Sequence, residues 1–80
     1  MKELKYIIID NLGLEVPVVF SHLLSHADVA RGKIVVSAGF CSISRTDYTF
    51  VCWGKSVSLE KGSRGITDEC ILDEFFNLPL

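Results

Sequence analysis

His22 and His26 stand at i and i+4 in "SHLLSHADVA". On a helix that spacing puts two imidazoles on one side, where they could share a metal ion. The glutamate of an HExxH motif is missing, and Cys41 or Cys52 could add a thiolate only through the fold. The competing reading is two neutral histidines bordering the apolar face of a helix. Ser25, His26 and Asp28 supply a nucleophile, a base and an acid by type. Near neighbours on one helix point apart, however, and cannot form a relay. A nucleophilic Cys41 or Cys52 would need an electropositive, partly exposed setting, and both read as strand interior. "GSRG" ahead of a helix is the type of loop that can hold an anion. It lacks the GK[ST] of a P-loop, and Asp68 and Glu69 already occupy the helix start, where they would repel phosphate. It reads as a turn with an exposed Arg64. The expectation is a non-enzyme without cofactor or metal.

What remains is recognition by contact. Trp53, Tyr48 and Arg64 are of the types enriched at binding hot spots. Residues 33–59 are apolar at nearly every second position and often between. The residues expected to form an interaction surface are Phe40, Tyr48, Trp53 and Lys55. The competing reading for Trp53 is a core residue under a helix.

These side chains must be carried by a few short elements. "KYIIID" and "LEVPVVF" have the β-branched and aromatic composition of strands. Asn11 and Gly13, able to take positive φ, mark a hairpin between them. Pro17 cannot donate to a ladder, so the second strand is expected at an edge or to be irregular there. Ser21 could cap a helical segment near 21–31, with Leu23, Ala27 and Ala30 on one face and Gly32 after its end. Ser25 with Asp28 could instead start a second short turn. Residues 33–43 and 48–59 read as the two best strands, with "SRTD" or "TD" between them. One face would carry Val35, Gly39, Cys41, Ile43, Tyr48, Phe50 and Cys52. The other would carry Ile34, Val36, Ala38, Phe40, Val51 and Trp53. "EKGSRG" reads as a polar loop. Thr67 then reads as an N-cap with Ile66 and Ile71 as a hydrophobic staple. Ile71, Leu72, Phe75 and Phe76 form the apolar stripe, with Asn77 and Pro79 ending the helix.

The expected fold is a single small α+β domain over residues 1–80. It has an antiparallel sheet of about four strands in two hairpins, a short helical segment near 21–31, and a C-terminal helix packed on one face. A chain of 80 residues buries only about 60–65% of its unfolded surface. Yet 49% of its residues are hydrophobic and 22% charged, too apolar for disorder. Both faces of residues 33–59 are apolar where a one-sided antiparallel sheet would alternate. One helix cannot cover both, so the second face needs residues 21–31 or another copy of the chain. A homodimer is therefore expected.

The net charge is −2, and the eight Lys and Arg are scattered, so nucleic-acid binding is not expected. The run Tyr6–Ile9 is too short for a signal-peptide core, and no segment is long enough to cross a bilayer. Three cysteines without CxxC spacing argue against a disulfide framework and for a reducing, cytoplasmic compartment with buried free thiols.

"GLEVPVVFSHLLSHADVA", "VVSAGFC" and "CWGKSVSL" together resemble small proteins of unknown function encoded by tailed bacteriophages and prophages. The resemblance spans most of the chain and carries no activity or functional residue. It departs after the last strand, where "SRGITDE" stands in place of "SRPED". It implies a bacterial host cytoplasm and an accessory or virion-related role, with a host or virion protein as a further partner. The function expected is a self-associating, non-enzymatic protein-interaction module. The alternative is a metal- or small-ligand-binding protein using His22 and His26.

Overall fold

The computed structural model describes residues 3–44 and 46–76. Strands β1 (Leu4–Asn11), β2 (Leu14–Ser21), β3 (Val35–Ile43) and β4 (Phe50–Trp53) form one antiparallel sheet in the order β2-β1-β3-β4. Helix α1 (His26–Ala30) joins β2 to β3. After β4, strands β5 (Lys55–Ser56) and β6 (Lys61–Gly62) make a separate two-stranded ribbon, and α2 (Ile66–Phe76) follows. The expected α+β class is present, with β1 at its centre.

The first hairpin turns at Leu12 and Gly13, both left-handed, with φ of 57° and 88°. That is the two-residue turn whose twist matches flanking strands. Leu12, not Asn11, takes the first positive φ, and Asp10 Oδ1 accepts from the Gly13 amide at 2.9 Å. A two-residue turn closes on a hydrogen-bonded pair, here Asn11 and Leu14. Alternation from there places Pro17 opposite Ile8 at a pair whose amides face outward. Its missing N–H therefore lies on the free edge of the sheet, where it costs no ladder bond.

Several sequence-based expectations need correction. The strand expected over 48–59 stops at Trp53. Gly54 is left-handed, with φ of 77°, and a Cβ there would stand 2.9 Å from the Phe40 ring. The chain turns away at Gly54, and the ribbon lies against β3. The loop expected over 60–65 includes β6. The short helical segment expected near 21–31 is present as α1, and of its two expected starts the one at Ser25 is taken: Ser25 Oγ accepts from the Asp28 amide at 3.0 Å. Ser21 accepts instead from the Leu23 amide in a turn, which leaves Leu23 in water. Finally, a bulge opposite Ile8/Ile9 shifts the β1–β3 register by a residue. Val36 therefore packs with Tyr6 and Ile8, while Val35 joins Ile7 and Ala38, the reverse of simple alternation.

The core has two layers, one on each face of the sheet. Under α2 lie Tyr6, Ile8, Cys41, Phe50 and Cys52, packed with Leu72 of the helix. On the opposite face Ile7 and Ala38 pack with Ala30 of α1, flanked by Val18, Phe20, Val29 and Leu59. The helix starts at Ile66 rather than after Thr67, and Ile66 is exposed, so no staple forms. Leu72 is the fully buried member of the α2 stripe. Phe75 and Phe76 remain 49% and 46% exposed. Asn77 and Pro79 lie outside the described residues.

Candidate interaction surface

Of the four residues expected at an interface, the ladder brings two together. Phe40 on β3 stands directly opposite Trp53 on β4, on the face away from α2. Val51, two residues before Trp53, shares that face opposite Ser42. Trp53 is 38% exposed and Val51 46%. Tyr48 lies at the other end of β4, exposed in the β3–β4 loop with φ of 59°. Two hydrogen bonds from Thr49 to Asp47 Oδ1 shape that loop and hold the Asp47 carboxyl below its ordinary value. Lys55 is exposed on the ribbon, where it borders an open hollow of about 400 Å³ with Glu60 and Lys61.

Phe40 is already engaged. Its ring meets His26 edge-on at 5.6 Å, and Phe20 meets the same imidazole from the other side at 5.6 Å. His26 is buried, with Nε2 2.7 Å from the Gly39 carbonyl. A carbonyl only accepts, so Nε2 carries the proton and donates. Lys5, paired with Phe20 on one side and Phe40 on the other, donates to the Leu24 carbonyl at 2.9 Å. This pins the turn before α1 beside the aromatic row. His22 is exposed and precedes α1, so the i, i+4 helical pair expected of the histidines is not formed. Among the described residues no group of three or more His, Cys, Asp or Glu could hold a metal.

Neither edge of the sheet offers a clean row of donors. On β2 the outward position at Pro17 has none. On β4 the outward amides of Phe50 and Cys52 are taken by α2: Asp73 Oδ1 accepts from Phe50 at 2.8 Å and Glu69 Oε2 from Cys52 at 3.0 Å. Strand addition is blunted at both edges, as sheets that avoid edge pairing require.

The densest polar chemistry is internal, and residue types alone did not reveal it. Asp68 is fully buried. Its Oδ2 accepts from the Tyr6 hydroxyl at 2.5 Å and the Arg64 amide at 2.9 Å. Its Oδ1 accepts from Ser37 at 2.9 Å and Arg64 Nε at 2.8 Å. Four donors match the roughly four lone-pair positions of a carboxylate. Arg64 continues to Glu15 on β2 at 2.7 Å, which raises the guanidinium's already high pKa. Burial, then the bond to Asp68, raises the Tyr6 phenol. The cluster ties β1, β2, β3 and the loop before α2 to the helix start; its Asp68, Tyr6 and Ser37 end is buried, and its Arg64–Glu15 end is partly in solvent. Arg64, expected in an exposed turn, is thus a clamp. The legible signal was Asp68 three residues after Gly65, the spacing at which a side chain reaches back across a helix start.

Cys41 and Cys52 are buried free thiols, each pushed up to about 12 by burial, while Cys70 is exposed. Among the described residues no helix is long and apolar enough to cross a membrane. Comparison with protein-family models, curated proteins and solved structures found no match to this chain.

Proposed function

We propose that this chain is a non-enzymatic protein-interaction module that pairs with a second copy of itself through the β4 end of the face opposite α2. The observation that supports this is the pair Val51 and Trp53. Both are large, apolar and half in water on a face whose other half is covered by α1. A two-fold contact covers one such patch with its own copy. The blunted edges favour face-to-face packing over strand addition. Phe40 supports Trp53 from the opposite strand. Tyr48 and Lys55 flank the patch rather than form it. On the resemblance of its sequence segments, the setting is a phage or prophage accessory protein in a bacterial cytoplasm, with a host or virion protein as a further partner.

Light scattering across micromolar concentrations tests the pairing. The parent should run as a dimer, and Trp53→Glu and Val51→Glu as monomers with the parent's melting midpoint. A charge at the centre of the patch would be desolvated without a partner. A parent that stays monomeric at every concentration refutes the proposal. Phe40→Glu is a poorer probe, since Phe40 packs on His26 and under Gly54. Metal analysis of the same preparation addresses the alternative, a site at His22 and His26.

A further inference from the structure

Cys41 and Cys52 stand directly opposite each other on β3 and β4. The Cys52 amide leaves the ladder for Glu69, and the Phe50 amide leaves it for Asp73. Donors that face outward at 50 and 52 leave the ladder bonds to 51 and 53. Cys41–Cys52 is therefore a non-hydrogen-bonded pair, in which Cα atoms approach to about 4.5 Å and side chains lie closest. A disulfide accepts Cα separations of about 4.4–6.8 Å. Both side chains belong to the same buried cluster under α2.

We propose that Cys41 and Cys52 are a latent cross-strand disulfide, closed by a low-molecular-weight disulfide when β4 lifts from the sheet. Cys52 is on the short edge strand and is the less deeply buried of the two, so it reacts first. Its thiolate attacks one sulfur of the small disulfide. That S–S bond breaks, and one small thiol leaves with the proton Cys52 gave up. Cys41, losing its proton, then attacks the Cys52 sulfur of the mixed disulfide. The second small thiol leaves with that proton. Two protein thiols are oxidised by two electrons, and one small disulfide is reduced to two thiols. The closed sheet protects the pair, so the rate of closure reports the opening of β4. Closure ties the strand that carries Val51 and Trp53 covalently to β3.

Cys70 is exposed and would collect adducts, so the test uses Cys70→Ser beside the full chain. Each is incubated with oxidised glutathione in mildly alkaline buffer without denaturant and read by intact mass and peptide mapping. The expected product of Cys70→Ser is lighter by two hydrogens, with the peptides holding Cys41 and Cys52 joined until a reductant is added; the full chain adds one glutathione at Cys70. Its melting midpoint should rise by about 5 °C or more. Glu69→Ala, which frees the outward Cys52 amide, should close several-fold faster. Cys41→Ser in the Cys70→Ser background should stop at a glutathione adduct on Cys52. The proposal is overturned if Cys70→Ser stays reduced, gains only adducts, or melts lower once closed. An unchanged rate in Glu69→Ala overturns the gating by β4.

Discussion

The two faces of the sheet are covered by helices of unequal length, the eleven residues of α2 on one and the five of α1 on the other. Under α2 the cover extends to β4 and is fastened twice. Leu72 fills the apolar layer, and Asp68 gathers donors from two strands and a loop. Under α1 the cover reaches Ile7 and Ala38 and ends before Val51 and Trp53. The same strands thus bury one face under α2 and leave part of the other, at Val51 and Trp53, in water. The difference lies in how far each helix reaches, because β1, β3 and β4 carry apolar side chains on both faces.

If the α2 face carries the stability, its breakage should be severe. Asp68→Ala strands buried donors on Tyr6, Ser37 and Arg64 and should cost about 3–5 kcal/mol, as breaking buried charge pairs does. Urea unfolding measures it, and a loss below about 1 kcal/mol would show the cluster to be incidental, since a buried group left unsatisfied costs at least that much. Leu72→Ala should cost about 2–5 kcal/mol. Phe75→Ala and Phe76→Ala should each cost about 1 kcal/mol, because each ring is already about half in water. Equal losses at all three positions would place the base of α2 deeper than described.

The thiols give the comparison a pH signature. Their folded pKa is raised from an ordinary 9.0 to about 12, with burial the first cause. A raised pKa means that the thiols' contribution is fully present below the unfolded value and is lost as pH climbs through the folded one. Stability should therefore hold up to about pH 9 and then fall, by about 1.4 kcal/mol per thiol per pH unit at most. Tyr6, raised from 10.0, adds to the fall at higher pH. Urea midpoints at rising pH check this, and the Cys41→Ala/Cys52→Ala variant should show a shallower slope. An identical slope would mean that other groups set the alkaline limit.

Several of these features were legible in the residues themselves. The β-branched runs marked β1, β2 and β3, and Gly13 the first turn. Pro17 marked the edge, and the stripe from Ile71 marked α2. Each rests on local chemistry, namely φ preference, a missing donor, or side-chain periodicity. The excess of apolar residues over 33–59 also pointed to a surface that one helix could not cover. Tertiary structure alone decided the rest. The β1–β3 register and its bulge exchanged the faces of Val35 and Val36. A left-handed Gly54 packed against Phe40, where a Cβ would not fit, turned the chain away after Trp53, and Asp73 and Glu69 of α2 took the outward amides of Phe50 and Cys52. Asp68 became the centre of the fold because Tyr6, 62 positions away, was brought within hydrogen-bonding distance. Local preferences act over a few residues, whereas a buried carboxylate is satisfied by whichever donors the strand register delivers. The register in turn is set by the packing of the whole sheet.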